Sequence, residues 1–265
     1  MGKEPLIDGA ILSQGNIKFF KHNDVDHLDR VLSRIDHRSS RILICTEGVY
    51  SADGDKGNIE GVLSVAQKYG ATVLVDEAHS LLIAGPNGRG VAEEQGVLEG
   101  VDMLIGTLSK CFGGVGGFLF GREELVNYVS YYARSRMFSC AIDPAVTGGL
   151  IAALRLAAGS DGTKKRQRIQ ANSQYFRSKL KGKVNTGNSQ SWIIPVIYGD
   201  ERITIPLSNY LQHEGLEASL MMYPAMPKKQ ARIRLFVSAE HTHGQMNTGS
   251  EIILKAAEHF GFLTD

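Results

Sequence analysis

Short apolar runs alternate with helical stripes along the first half of the chain, and this alternation is the strongest constraint on its fold. Arg41–Cys45, Ala71–Val75, Val101–Ile105 and Phe118–Phe120 are continuously apolar, as strands buried on both faces are. Between them, Ile59, Val62, Leu63, Ala66 and Tyr69 recur at helical spacing, and Gly70 follows as a terminator. An earlier stripe runs over 24–35 through Val25, Leu28, Val31, Leu32 and Ile35. Strands separated by helices predict an α/β fold on a mainly parallel sheet. In such sheets ligands bind beyond the carboxyl ends of the strands.

The residues at those ends are chemically unusual. Val73-Leu74-Val75 runs into Asp76-Glu77-Ala78-His79, and the next strand runs into Gly106-Thr107-Leu108-Ser109-Lys110. A glycine-rich run, Gly113-Gly114-Val115-Gly116-Gly117, comes next. An aldehyde needs an amine, a ring nitrogen needs a carboxylate, and a phosphate needs small residues and backbone N–H groups. Pyridoxal phosphate (PLP) makes all three demands. Asp-Glu-Ala-His also reads as a helicase box, but that reading requires a Gly-x-x-x-x-Gly-Lys-Ser/Thr loop. The nearest segment, Gly159–Lys165, lacks the spacing and follows no strand.

Composition narrows the field. The 265 residues carry 29 basic and 28 acidic side chains, a net charge of +1, which points to neither nucleic acid nor an anionic membrane as partner. Cys45, Cys111 and Cys140 form no C-x-x-C pair, and Cys45 reads as a buried small hydrophobe. So sparse and odd a count fits a reducing compartment. No apolar stretch approaches the ~20 residues of a membrane span, and residues 1–20 lack the apolar core of a signal peptide. A cytoplasmic enzyme is expected.

Past a long helix over Pro144–Ala158, Gly159–Lys165 is polar and predicts a flexible boundary. The expected division is therefore 1–158 and 159–265. The second part predicts a helix near 166–181, a strand near Trp192–Tyr198, a helix over 205–214, a strand near Ala231–Val237 and a last helix over 250–260. It reads as a smaller α/β domain.

Several ordered segments resemble the α-oxoamine synthases, PLP-dependent enzymes of fold type I. Glu47-Gly48-Val49-Tyr50-Ser51-Ala52-Asp53-Gly54-Asp55 is similar to the family's E-G-x-x-S-M-D-G-D. Asp76–Ser80 with Gly85–Gly90 resembles D-E/D-A-H-S…G-x-x-G-R-G, and Gly106–Gly117 resembles the signature around the cofactor-bearing lysine. Tyr223-Pro224-Ala225, Arg232-Ile233-Arg234 and Ser238–Thr242 resemble the C-terminal segment. The match begins near Leu6. Met1 falls where the family's Asn-His-Ala-Ser belongs, and Lys3 takes the place of its ring-stacking histidine. An N-terminally truncated member is expected, with an exposed sheet edge and weak cofactor binding on its own.

The resemblance implies a role for each matching residue. Lys110 would hold PLP and serve as base. Asp76 would pair with the ring nitrogen, and His79 would reach the phenolate oxygen unless it is a capping or core histidine. Ser51 would lie near that oxygen or be a plain turn serine. Thr107 would bind the phosphate. Ser139 would reach the phosphate of a neighbouring subunit or cap a helix. Arg234 would clamp the substrate α-carboxylate, with Arg232, two residues away on the same strand face, as the alternative. The implied activity is condensation of an amino acid with an acyl-CoA or acyl-carrier-protein thioester, with decarboxylation to an α-aminoketone, in a homodimer with shared sites. Arg136–Pro144 differs from the Pro-Pro of the primary-metabolism enzymes and leaves a serine-palmitoyltransferase-like member open. Another fold-type I activity such as an aminotransferase, or a non-catalytic regulatory subunit, are the other readings.

Overall fold

The computed structural model describes residues 4–36 and 40–264. Lys3, the residue in the stacking-histidine position, lies outside the described residues. In chain order the elements are helices α1 (Glu4–Leu12) and α2 (Val25–Leu32), strand β1 (Leu43–Glu47), α3 (Ile59–Tyr69), β2 (Thr72–Asp76), α4 (Val91–Glu94), β3 (Met103–Thr107) and β4 (Gly117–Gly121). Helices α5 (Glu123–Tyr132), α6 (Arg134–Met137), α7 (Pro144–Ala158) and α8 (Ser160–Leu180) follow. The chain then runs through β5 (Ile193–Gly199), α9 (Glu201–His213), β6 (Ser219–Met221), β7 (Ala231–Phe236) and α10 (His243–His259).

The chain divides into two compact units. One holds Ala10–Val49 and Gly57–Lys164. The other holds the residues up to Gly9, the short segment Tyr50–Lys56, and everything from Lys165 on. The expected cut after residue 158 falls six residues before this one and does not anticipate the transfer of Tyr50–Lys56.

The first unit is built on a four-stranded sheet ordered β1-β2-β3-β4. β1, β2 and β3 are parallel, whereas β4 pairs antiparallel to β3, Thr107 facing Gly117 and Met103 facing Gly121. Only nine residues join those two strands, too few for the crossover that a parallel partner requires. The sheet is therefore mixed and mostly parallel. Nor is it buried on both faces: Val73 and Val75 are buried while Thr72, Leu74 and Asp76 are half-buried, and β4 is largely exposed. Leu43 of β1 is exposed and Cys45 only half-buried. Helix α3 is terminated as its sequence predicts. Asn58 accepts from the Gly61 N–H at its start, and Gly70 closes it in the left-handed conformation (φ 61°).

The second unit centres on a three-stranded antiparallel sheet, β5-β7-β6. The buried residues Ile193, Ile194, Val196, Ile233 and Leu235 of the sheet, Leu207 and Leu211 of α9 and Ile253 of α10 supply its core. Helix α10 starts earlier than expected. Thr242 accepts from the Gln245 N–H while Gln245 bonds back to the Thr242 N–H, a reciprocal cap. Gly159–Lys165 is not a flexible linker either. It holds the junction of α7 with α8 and the first turns of α8.

Candidate active site

In the first unit, the chemistry-bearing residues stand at the carboxyl ends of two neighbouring parallel strands. Asp76 is the last residue of β2 and lies opposite Ile105 of β3; Thr107 ends β3 two residues further on. Such strands lie about 4.8 Å apart. The Ala78 N–H donates to Asp76 Oδ1 at 2.9 Å, which folds the chain into a turn directly after the strand. His79 is half-buried in that turn, and Lys110 is exposed in the loop after β3.

One small apolar cluster anchors both turns. Leu81, two residues past His79, and Phe112, two past Lys110, are buried with Leu104 and Leu150. The Phe112 ring meets Phe118 edge-on at 5.7 Å between centroids. Burial of a Phe side chain is worth roughly 1.5–3 kcal/mol, enough to seat the lysine's loop firmly. Within that loop the Gly113 N–H donates to the Lys110 carbonyl at 3.0 Å, with Gly113 at φ 71°, a conformation that costs glycine little. The Leu108 N–H donates to the Gly116 carbonyl at 2.9 Å, closing the loop's base.

Two residues that sequence reasoning passed over complete the arrangement. The first is Ser109, whose Oγ lies 2.7 Å from Thr107 Oγ1 and whose N–H donates to that same atom at 3.2 Å. The signal was the spacing of two hydroxyl residues, i and i+2, at a strand end. The second is Glu77, fully buried beside Asp76. Its carboxylate accepts from the Val91 N–H at 3.0 Å, the Ala92 N–H at 2.9 Å and the Ser80 hydroxyl. A Cβ on Gly48 or Gly90 would run into it. Burial pushes the Glu77 carboxyl above its usual range, against those hydrogen bonds. Glu77 is thus the structural acid of the Asp76-Glu77 pair, tying Gly90 and the start of α4 to the end of β2.

Ser139 lies exposed after α6, its hydroxyl donating to the Arg136 carbonyl at 3.3 Å. It does not cap α7. Asp143 does, accepting from the Ala145 and Val146 N–H groups.

Ser51 and Arg234 belong to the second unit. Arg234 sits on β7, opposite Pro195 of β5 and Ser219 of β6. Its Nη1 donates to the Ser51 carbonyl at 3.1 Å, and its Nε is buried without a hydrogen-bond partner among the described residues. Its guanidinium rests 4.7 Å over the Phe236 ring. Arg232 differs sharply: it is 3% exposed, and its Nε and Nη1 are hydrogen-bonded, as described below. Of the two arginines, Arg234 is the one with a buried donor left over.

A helix-flanked, mostly parallel sheet with an acid, two hydroxyls and an amine at adjacent strand ends defines an α/β protein with a polar ligand site there. Residues 4–253 match the family model for aminotransferases of class I and II, and the chain belongs to that family. Its relatives place it on the α-oxoamine synthase branch. The chain is 36% identical over 257 residues to an 8-amino-7-oxononanoate synthase from Thermoanaerobacter pseudethanolicus, covering 97% of this chain and 64% of that protein. A serine palmitoyltransferase from Sphingomonas wittichii superposes with a TM-score of 0.91 at 32% identity, over 98% of this chain and 65% of the other. Another, from S. paucimobilis with PLP and myriocin bound, gives a TM-score of 0.87 at 32% identity, over 94% and 63%. The chain spans about two thirds of the length of the curated relatives it matches. Among the described residues, no helix is long and apolar enough to cross a membrane.

Proposed function

We propose that this chain carries the PLP-holding lysine and the substrate-carboxylate arginine of an acyltransferase that joins an amino acid to an acyl thioester. Carbon dioxide and the free thiol leave, and an α-aminoketone forms. The observation that carries this reading is the placement of Asp76, Thr107 and Lys110 at the ends of adjacent parallel strands, within a chain of this family.

The donor set fits the cofactor. Asp76 offers a carboxylate to a protonated ring nitrogen, Lys110 offers a primary amine to the aldehyde carbon, and Thr107 with Ser109 offers paired hydroxyls to a phosphate. PLP, when bound, supplies a sink for negative charge at the substrate's α-carbon. Asp76 keeps the ring nitrogen protonated by remaining ionised. Lys110 Nζ takes the α-proton. His79, in the turn after Asp76, donates to the ring oxygen, and Ser51 supports that oxygen. Arg234 takes the substrate carboxylate in a bidentate pair, for which a guanidinium fork is suited, and its leftover buried Nε supports that role.

The reading includes a cytoplasmic homodimer in which Ser139 of one protomer reaches the phosphate in its partner's site. The exposure of Ser139 and the three unpaired cysteines are in keeping with it.

The decisive experiment is chemical trapping. The chain is incubated with excess PLP, reduced with borohydride, digested and mapped. Reduction traps even a weakly held adduct, and the pyridoxyl label is expected on Lys110. Label on another lysine, with none on Lys110, overturns the assignment. Release of CoA and CO2 from amino acid plus acyl-CoA then separates this activity from keto-acid exchange by an aminotransferase.

A further inference from the structure

The segment Tyr50–Lys56 has its sequence neighbours in one unit and its contacts in the other. Val49 and Gly57, on either side of it, belong with the parallel sheet, whereas the segment itself belongs with β5-β7-β6. Three attachments hold it there. Arg232 Nη1 donates to the Ala52 carbonyl at 3.2 Å and to Asp53 Oδ1 at 2.6 Å, while its Nε donates to the Gln230 carbonyl at 3.1 Å. Arg234 Nη1 donates to the Ser51 carbonyl. The Gly54 carbonyl accepts from the Gln190 N–H, the Ser191 N–H and the Ser191 hydroxyl at 3.0, 3.0 and 2.7 Å. Gly54 itself, at φ 71°, lies so close to the Ile193 carbonyl that a Cβ would collide with it.

Arg232 is the centre of this arrangement. A guanidinium removed from water is expensive unless its donors are matched, and here a strand arginine turns its Nη1 to a loop about 180 residues away in the sequence. The same strand face, two residues on, carries Arg234. The two arginines grip consecutive residues, Arg234 the carbonyl of Ser51 and Arg232 the carbonyl of Ala52 and the carboxylate of Asp53.

We infer that the pair formed by buried Arg232 and half-exposed Asp53 is a positioning device that fixes Ser51 and Arg234 to one another, so that the oxygen-facing serine and the carboxylate clamp move as one piece. Arg232 touches neither cofactor nor substrate. It sets the substrate end of the site and leaves the attachment at Lys110 untouched. The inference rests on the roles given above to Ser51 and Arg234, but the tether itself is a separate claim.

Two variants test it, Arg232→Met and the milder Asp53→Asn, which keeps shape and removes charge. Two readouts are needed. Hydrogen exchange by mass spectrometry on the full chain reports the amides of 50–56. Titration of the PLP-loaded chain with L-alanine and L-serine, followed by cofactor absorbance, reports amino-acid binding. Arg232→Met is expected to speed exchange in 50–56 at least tenfold while the β1, β2 and β3 amides stay protected. It should weaken amino-acid binding at least tenfold, with borohydride labelling of Lys110 unchanged. Asp53→Asn should move both readouts the same way by a smaller factor, and it decides the matter if Arg232→Met does not fold. Unchanged exchange and unchanged affinity in Asp53→Asn and in folded Arg232→Met overturn the inference. So does faster exchange throughout the C-terminal unit, which would make the pair a general fold contact. If wild-type Lys110 takes no label, the functional reading fails, and the exchange measurement still judges the tether.

Discussion

The two sheets of this molecule differ in how completely their own residues cover them. In the C-terminal sheet, Ile193–Val196 are buried four in a row and β7 is buried at four of its six positions. In the N-terminal sheet β3 has one fully buried residue and β4 none. The helices follow suit. α9 and α10 bury several side chains each, whereas α5 buries none and α7 only Leu150. Tyr132 and Phe138 are 70% and 79% exposed. The C-terminal unit is thus closed by its own sequence. The N-terminal unit spends its order on the ends of β2 and β3, where the acid, hydroxyls and lysine are seated, and leaves an apolar surface over 115–156 uncovered by the described residues. Changes at the end of β2 should accordingly cost turnover more than stability, and changes in the core of the C-terminal sheet the reverse.

The largest effect expected is chemical. Asp76→Asn retains the turn geometry at the end of β2 but cannot hold a proton on the ring nitrogen. Turnover should fall by several orders of magnitude, about 5 kcal/mol or more in barrier, with little change in thermal unfolding. Near-wild-type turnover in the variant would remove Asp76 from the site and collapse the contrast between the units.

Stability should show the reverse. Ile233 is completely buried at the centre of β7, and Ile233→Ala should cost roughly 2–5 kcal/mol through lost burial and the cavity left behind. Tyr132→Ser, on the exposed face of α5, should stay within about 0.5 kcal/mol while reducing self-association. Denaturant unfolding of both variants checks the pair. A cost at Tyr132 matching that at Ile233 would mean that the exposed apolar surface is covered in solution.

Much of this was legible in the sequence where one local signal decides. The apolar stripe and the terminating Gly70 specify α3 without tertiary help. The strand ends at Asp76 and Thr107 follow from apolar runs meeting polar residues. What escaped depends on partners distant in the chain. Ile169, Phe176 and Leu180 are buried along α8, but the polar turn before them carries no apolar period, so residues 159–165 read as a linker. The reversal of β4 is set by the shortness of its connection, which continuous apolarity cannot reveal. The distinction between Arg232 and Arg234 is invisible at two-residue spacing, because both point to one face. It emerges only when the partner of Arg232 is found at Asp53. Glu77 and Asp76 likewise look alike in sequence, and burial separates the two, Glu77 being fully buried and Asp76 half-buried.

The smallest effect tests the closed unit at its surface. Asp200 caps α9, accepting from the Arg202 N–H at 2.9 Å, and its carboxylate pairs with the Arg202 guanidinium at 2.7 Å. That guanidinium's hydrogen bonds hold the Asp200 carboxyl down at about 2, against an ordinary 3.8. A carboxylate depressed in the folded state contributes its stability in full above its unfolded value and loses it as the pH falls through the folded one. The cap's contribution should therefore be complete above about pH 4 and fade between there and about pH 2. The pair is solvent-exposed, so salt should erode it further. Asparagine is as good a cap as aspartate but carries no charge. Asp200→Asn should keep α9 folded at neutral pH and abolish the acid-side change. Amide exchange in the first turn of α9, followed from pH 5 to pH 2 in both proteins, checks this. An identical pH response in the two would show that some other carboxylate governs that end of the helix.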